Sequence, residues 1–296
     1  MKENILEARD VHFTYSDGTT ALRGATMAIE RGKKIAVLGS NGAGKTTIFL
    51  HFNGILRPGR GQVLFNGRPV RYDHRSLMEL RRNVGIVFQD PDMQLFSASV
   101  VQEIAFGPLN LGLSREEVLR RVEAAMEATE ITGLKDKPTH LLSYGQKKRV
   151  CLAGVLAMEP QVLICDEPTA GLDPLHAGQV MELFDRINRQ GATVVLATHD
   201  VDLAYSWADY VYVMSCGTVV GEGLPGEVFG NEQLLRQSDL SRPWLVEVFE
   251  QLSRKGWLPE GLPLPRTKEQ LFNYLQEVKG NKVPGKPAAV YLFPRR

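Results

Sequence analysis

The feature that most constrains the fold is a loop with the pattern G-x-x-x-x-G-K-S/T, here GSNGAGKT at residues 39–46. It follows a short apolar run at residues 34–39, which predicts a buried strand, and it precedes residues 47–52, which suit the start of a helix. In this order the glycines let successive backbone N–H groups face phosphate oxygens at a helix N-terminus. The loop, which we call the phosphate loop, consists of Gly39, Ser40, Asn41, Gly42, Ala43, Gly44, Lys45 and Thr46. It predicts a purine-nucleotide site.

Side chains in and around this loop predict the chemistry. Lys45 would reach the β- and γ-phosphates, and the Thr46 hydroxyl would coordinate Mg²⁺. A second apolar run, residues 162–165, ends in Asp166 and Glu167. We expect its strand to lie next to the strand of the phosphate loop, so that Asp166 holds Mg²⁺ and Glu167 polarises the attacking water. His199 follows a third apolar run, residues 193–197, and is a candidate hydrogen-bond partner of the γ-phosphate.

The composition and the pattern of apolar residues narrow the fold class and the kinds of partner and site that the chain can have. Helical patterns separate the three apolar runs, which favours an α/β domain with a largely parallel sheet. Residues 11–15 alternate apolar and polar, as in a half-buried strand. The formal net charge is +1, so no global basic excess indicates a nucleic-acid partner. No apolar run approaches the length that spans a bilayer. The three cysteines form no CxxC pair, which argues against a zinc site or a disulfide framework.

Residues 142–146, LSYGQ, form a second element suited to anions. Ser143 and Gln146 have capping-box spacing and open a helix that should stop before Pro160. A serine, a glycine and a helix N-terminus can together bind phosphate. Since the chain already has a phosphate loop, a second element suggests that the nucleotide is clamped between two subunits.

With these motifs in this order, the chain resembles the ATP-binding cassette (ABC) ATPases over about residues 4–225. The resemblance implies a P-loop NTPase of the α/β class with a RecA-like core and an N-terminal antiparallel β subdomain. It also implies a helical signature subdomain at about residues 90–160. The family signature is usually L-S-G-G-Q, and Tyr144 stands here in place of its first glycine.

The resemblance also implies a role for each matching residue, with ATP and Mg²⁺ as cofactors. Tyr15 would stack on adenine, and Thr47 would complete the phosphate loop. Gln89 would sense Mg²⁺ and the attacking water and couple to the membrane partner, while Thr46 and Asp166 would bind the metal. Glu167 would be the general base and His199 the switch histidine. The remaining matches act across a dimer: Ser143, Gly145 and Gln146 would contact the γ-phosphate of the opposite subunit's ATP, and Asp173 lies in the loop that crosses the interface.

Two further segments resemble one branch of the family. Residues 89–96 (QDPDMQLF) and 101–108 (VQEIAFGP) are similar to the ATPase subunits of energy-coupling-factor importers, particularly those for cobalt. In that branch the segment around Gln94 forms an extra short helix. The resemblance implies a second ATPase subunit, identical or paralogous, together with a transmembrane coupling subunit and a substrate-binding membrane subunit. It places the chain peripherally on the cytoplasmic face of the cell membrane, without nucleic acid, and leaves nickel or a vitamin open as the cargo.

Two other classes compete with this interpretation. A soluble ABC ATPase of DNA repair or translation usually has two cassettes, a long coiled coil or basic arms, and the sequence shows none of these. A P-loop kinase or GTPase leaves residues 142–146 unexplained.

The last part of the chain changes in character, and we predict a boundary between an ATPase domain, residues 1–225, and a C-terminal extension, residues 226–296, for dimerisation or regulation. Prolines divide the extension into short pieces. One predicted helix buries Leu245, Val248, Phe249 and Leu252 and ends at Gly256. Another is capped by Thr267 and Gln270, turns Leu271, Leu275 and Val278 inward, and ends before Gly280. Residues 281–296 have no assigned structure.

Overall fold

The computed structural model describes residues 3–280, with the side chains of residues 3–276. The chain divides into two compact units, Met1–Ser241 and Arg242–Arg296. The strands of the first unit are β1 Asn4–Thr14, β2 Thr20–Glu30, β3 Lys34–Leu38, β4 Arg60–Phe65, β5 Arg68–Pro69, β6 Val84–Val87, β7 Val162–Asp166, β8 Thr193–Ala197, β9 Tyr210–Ser215 and β10 Thr218–Gly223. Its helices are α1 Lys45–Phe52, α2 His74–Asn83, α3 Val100–Asn110, α4 Arg115–Ala128, α5 Tyr144–Leu156, α6 Pro174–Arg189, α7 Val201–Trp207, α8 Pro225–Gly230 and α9 Glu232–Gln237. The second unit has α10 Trp244–Arg254 and α11 Lys268–Gly280.

The strands of the first unit form two sheets. An antiparallel sheet has the order β2-β1-β4-β5, and a second sheet has the order β10-β9-β3-β8-β7-β6. Within the second sheet β9, β3, β8, β7 and β6 are parallel, and β10 is antiparallel to β9. Strands β7 and β8 are buried along their whole length, which explains why they read as continuous apolar runs. The predicted α/β class with an N-terminal antiparallel layer is confirmed.

The predicted neighbour relationship between two strands is wrong. We expected β7 beside β3, but β8 lies between them, and Ala197 of β8 pairs with Val37 on one side and Asp166 on the other. Because the three strands are parallel, their carboxyl ends still share one edge of the sheet. Asp166 is therefore one strand further from the phosphate loop than expected. The Thr46 side chain on α1 still reaches it through a hydrogen bond.

Helices α3, α4 and α5 pack against one another around an apolar cluster that includes Ile104, Val122 and Val150. Each of α4 and α5 begins at a serine whose hydroxyl accepts from the backbone N–H three residues later. For α5 this is the cap that the spacing of Ser143 and Gln146 predicts. Helix α5 ends at Leu156, ahead of Pro160. A short 3₁₀ helix, Pro91–Met93, precedes this helical part, immediately before Gln94.

The C-terminal residues depart from the predictions in their details. The division between the compact units falls after Ser241, so α8 and α9 belong with the first unit and not with an extension beginning at 226. In α10 the residue that is fully buried is Val246, whereas Val248 is 39% exposed, so the predicted inward face is rotated. Val246 lies three residues before the buried Phe249 and next to the buried Leu245, which makes these three one face of the helix.

The last helix matches its predicted start better than its predicted end. Gln270 N donates to Thr267 Oγ1 at 3.3 Å, and Leu271 is buried, as expected. Helix α11 includes Gly280 instead of stopping before it. The side chain of Val278 and the whole of residues 281–296 lie outside the described residues. Along residues 3–280, no helix is long and apolar enough to cross a membrane.

Candidate nucleotide site

The phosphate loop connects β3 to α1 through backbone that only glycine adopts easily. Gly44 has φ +103, and a Cβ at this position would lie 2.9 Å from the carbonyl oxygen of Ala21. At Gly39 a Cβ would lie 2.3 Å from the carbonyl oxygen of Met214. The loop is therefore wedged against β2 and β9, and α1 starts directly after it with its N-terminus at the same edge of the sheet.

Lys45 is 8% exposed and turns its amine back into the loop. Its Nζ donates to the carbonyl oxygens of Gly39, at 2.6 Å, and Ser40, at 3.1 Å. Burial lowers the pKa of Lys45, while the nearby carboxylates of Glu167 and Asp166 raise it. The amine is thus a poorly hydrated cation that gains from the arrival of an anion.

The Thr46 hydroxyl on α1 donates a hydrogen bond to Oδ2 of Asp166 at the end of β7. Asp166 is only 3% exposed, and this burial raises its pKa, with a further contribution from Glu167. A hydroxyl and a carboxylate in contact are the hard oxygen donors that Mg²⁺ prefers, so this pair fits the metal. Gln89, the third expected ligand, is exposed, and within the described part of the chain its side chain makes no hydrogen bond to either residue.

Glu167 occupies a strained position immediately after β7. Its φ is +48, and its backbone N–H donates to the carbonyl oxygen of Ala197 at 3.0 Å. The carboxylate side chain is 7% exposed, and its Oε1 lies 2.9 Å from Nδ1 of His199. The His199 ring is 72% exposed. A buried carboxylate paired with an accessible imidazole is an arrangement suited to moving a proton from water.

Residues 89–93, which we call the Gln89 segment, form a turn after β6. Its 3₁₀ helix is capped by Asp90, whose side chain accepts from Asp92 N at 3.0 Å. Gln94 closes the turn because its Oε1 accepts from Phe88 N at 3.1 Å. The backbone of Gln89 is therefore held while its side chain stays exposed.

The signature residues lie at the N-terminus of α5. Ser143 and Gln146 form a complete capping box, with Ser143 N donating to Gln146 Oε1 at 3.1 Å and Gln146 N donating to Ser143 Oγ at 3.3 Å. The capping box thus uses Oε1 of Gln146 and leaves its Nε2 amide group as a donor. Among the described residues, Ser143, Gly145 and Gln146 make no hydrogen bond to the phosphate loop. That separation suits groups that act on another subunit's nucleotide.

Asp173 and Tyr15 take positions at the edges of the site. Asp173 caps α6 by accepting from His176 N at 3.0 Å, and this bond lowers its pKa. Tyr15 is 37% exposed, and its hydroxyl lies 3.0 Å from Thr47 Oγ1 on α1. Its ring is edge-on to Phe13, with centroids 5.0 Å apart, so its position beside the phosphate loop is fixed.

Lys148 is a buried cation that sequence reasoning missed. It is 5% exposed, and its Nζ donates to the carbonyl oxygens of Glu167 and Ala170, each at 2.7 Å. Burial lowers its pKa against the raising effect of Glu167. The signal available in the sequence was its position four residues after Tyr144, on the same face of α5.

Comparison with known proteins decides the family. The model described as "ABC transporter" matches residues 22–170. The energy-coupling factor transporter ATP-binding protein EcfA of Methanocaldococcus jannaschii is 48% identical over 275 residues, which are 92% of this chain and 99% of the relative. The chain belongs to the ABC transporter family. The predicted resemblance to the energy-coupling-factor branch is confirmed, and this ABC ATPase is an ATP-using enzyme.

Solved structures agree with that assignment. One is CbiO1 of Clostridium perfringens, described as part of the ABC transporter complex CbiONQ, with 48% identity and a TM-score of 0.70. The match includes the whole CbiO1 chain and 84% of this ABC ATPase. Another is a dimeric ATP-binding cassette in a post-hydrolysis state bound to ADP and Pi, with 26% identity and a TM-score of 0.69. That cassette covers 74% of this chain, and 98% of the cassette is matched.

Proposed function

We propose that this ABC ATPase hydrolyses Mg²⁺-bound ATP to energise an energy-coupling-factor importer for cobalt ions. The observation that carries the catalytic part is the convergence of Lys45, Thr46, Asp166, Glu167 and His199 at one edge of the parallel sheet. Lys45 binds the β- and γ-phosphates, and Thr46 with Asp166 holds the metal. Bound there, Mg²⁺ would neutralise charge on the phosphate oxygens.

Hydrolysis itself depends on Glu167 as the general base. Its carboxylate accepts a proton from the attacking water, and His199 orients that carboxylate through the hydrogen bond at 2.9 Å. The exposed edge of His199 is available to the γ-phosphate. Phosphate-loop N–H groups and the start of α1 bind the remaining oxygens, and Tyr15 supplies a ring for adenine.

A second ATPase subunit, identical or paralogous, completes each site. Ser143, Gly145 and Gln146 lie at a helix N-terminus that, in the described part of the chain, makes no hydrogen bond to its own phosphate loop, which supports a contact to ATP on the opposite subunit. Asp173, at the start of α6, belongs to the crossing loop of that interface. ATP then joins two subunits, and loss of the γ-phosphate bridge opens them.

Membrane partners dock in an apolar groove beside the Gln89 segment. The groove includes Ile55, Met78, Phe96 and Phe106, each of which is at least 37% exposed, and Gln94 lies in the same lining. Phe96 and Phe106 stack edge to face with centroids 4.6 Å apart. An apolar patch of this kind on a solvent-exposed surface suits a segment from a transmembrane coupling subunit. This docking places the chain peripherally on the cytoplasmic face of the cell membrane.

Cobalt as the cargo is supported by the similarity to CbiO1, whose description places it in the CbiONQ complex. The cargo is bound by a separate membrane subunit, so it is identified by what accompanies the tagged chain out of detergent-solubilised native membranes. A cobalt-binding subunit supports the proposal, whereas a nickel or vitamin subunit changes the cargo alone. Recovery of soluble partners only would overturn the transport role.

The catalytic role is tested with Glu167→Gln, which keeps the size of the side chain but removes the base. We expect this variant to bind ATP, to lose turnover and to elute as a stable dimer in size-exclusion chromatography with light scattering. Glu123→Gln, on the exposed face of α4, is the matched control and should turn over ATP like the parent. Rapid ATP hydrolysis by Glu167→Gln would overturn the assignment of the base.

A further inference from the structure

Tyr144, the residue that departs from the usual signature, contacts two loops at once. Its hydroxyl donates to the backbone carbonyl oxygen of Gln89 at 3.1 Å. Its ring lies over Gly171, since a Cβ on Gly171 would be 2.7 Å from Cε1 of Tyr144. Glycine at position 144 would have no atoms for either contact. The substitution therefore adds a connection that the usual signature lacks.

Helix α5 holds the Gln89 segment at further points along one face. Lys147 Nζ forms an ion pair with Asp92 Oδ1 at 2.6 Å. One turn later, the sulfur of Cys151 lies 3.8 Å from the carbonyl oxygen of Pro91. Positions 144, 147 and 151 follow helical spacing, so the Gln89 segment packs against one face of α5.

The same helix holds the loop of residues 167–173, which we call the Glu167 loop. Lys148 donates to the carbonyl oxygens of Glu167 and Ala170, and its Nζ lies 5.5 Å from the centroid of the Tyr144 ring. A Cβ on Gly145 would lie 3.2 Å from Leu172 Cδ2, so the first turn of α5 packs directly on this loop.

We propose that Tyr144 is a positioning residue that couples the Gln89 segment to the Glu167 loop. The link consists of the hydrogen bond from the Tyr144 hydroxyl to the Gln89 carbonyl, together with the contacts of the Tyr144 ring with Gly171 and Lys148. Displacement of the Gln89 segment then shifts the backbone that carries Glu167. This inference rests on the proposed function, in which Gln89 faces the membrane partner and Glu167 is the base.

The experiment compares Tyr144→Phe, which deletes the hydroxyl and keeps the ring, with Tyr72→Phe as the matched control. The Tyr72 hydroxyl is buried without a hydrogen-bond partner among the described residues, so deleting it removes no such bond. A nitroxide is attached to the full-length chain at Met93→Cys, in a Cys216→Ser background. Met93 is 78% exposed, and the other two cysteines are buried. Electron paramagnetic resonance reports the mobility of the Gln89 segment, and steady-state kinetics gives kcat and KM for ATP.

For Tyr144→Phe we expect a more mobile nitroxide and a fall in kcat of about three- to tenfold, the effect of losing one hydrogen bond, with KM for ATP unchanged. The kcat of Tyr144→Gly should be lower still, because this variant also loses the contact with Gly171. Unchanged mobility in Tyr144→Phe would overturn the link, and higher mobility with an unchanged kcat would overturn the positioning role. If the parent chain itself hydrolyses no ATP, the proposed function fails and the coupling role with it. An active parent with an unaffected Tyr144→Phe contradicts the coupling alone.

Discussion

His199 Nδ1 lies 2.9 Å from Oε1 of Glu167, so an accessible imidazole orients a nearly buried carboxylate. Removing the ring leaves Glu167 in place but without this partner. We expect His199→Ala to lower kcat by about 10- to 100-fold while ATP binding changes little, since the affected group acts on the attacking water. Single-turnover hydrolysis and equilibrium binding of a fluorescent ATP analogue measure the two effects separately. His140→Ala, at an exposed histidine of the helical part, should behave like the parent. A His199→Ala variant with full turnover would remove the histidine from the mechanism.

Lys45 is predicted to contribute mainly to nucleotide affinity. Its amine already lies inside the phosphate loop, bonded to the Gly39 and Ser40 carbonyls, and charge-assisted bonds to phosphate are the strong ones. Lys45→Ala should weaken ATP binding by about 100-fold, measured by isothermal titration calorimetry. Lys135→Ala, at an exposed lysine outside the site, is the control. Equal affinities in the two variants would contradict the assigned role.

Asp166, the proposed metal ligand, should destabilise the nucleotide-free protein. Burial raises the pKa of Asp166 above its value in the unfolded chain. A carboxyl shifted in this direction supports folding while protonated, so its contribution is complete below about pH 4 and is lost as the pH rises through the raised pKa. At neutral pH, therefore, the ionised form opposes folding.

We accordingly expect Asp166→Asn to raise Tm by about 2–4 °C at neutral pH in EDTA, with the difference vanishing in acid. Scanning calorimetry across a pH series gives the measurement. Asp17→Asn is a control of opposite sign, because hydrogen bonds to Thr19 lower the pKa of Asp17. If Asp166→Asn melts at or below the parent temperature at neutral pH, burial of this carboxylate does not oppose folding.

The apolar groove predicts a separation between catalysis and assembly. Phe106→Glu places a charge where Phe96 and Phe106 now stack, in a groove away from the phosphate loop. ATP hydrolysis by the isolated chain should stay within about twofold, while recovery of membrane subunits in a pull-down should drop at least tenfold. Val220→Glu alters an exposed valine on β10 and should recover them normally. Undiminished recovery with Phe106→Glu would place the docking surface elsewhere.

Local patterns predicted the elements of this site well. The strand before the phosphate loop, the apolar runs of β7 and β8 and the serine cap of α5 depend on neighbours in sequence, and each is present. The order of strands was beyond such patterns, because β7 and β8 are equally apolar and either could neighbour β3. The role of Lys148 was also out of reach, since its partners at Glu167 and Ala170 are brought to it only by tertiary packing.

The capping box at the start of α5 gives Ser143 two duties that do not compete. Its oxygen uses a lone pair to accept from Gln146 N, which satisfies a helix-end donor. Accepting this bond does not consume the hydroxyl proton, which can point outward to a phosphate oxygen of a neighbouring subunit. In the proposed dimer, one oxygen atom thus caps its own helix and remains a donor to the partner's ATP. The same atom would let the helix keep its fold through every round of opening and closure.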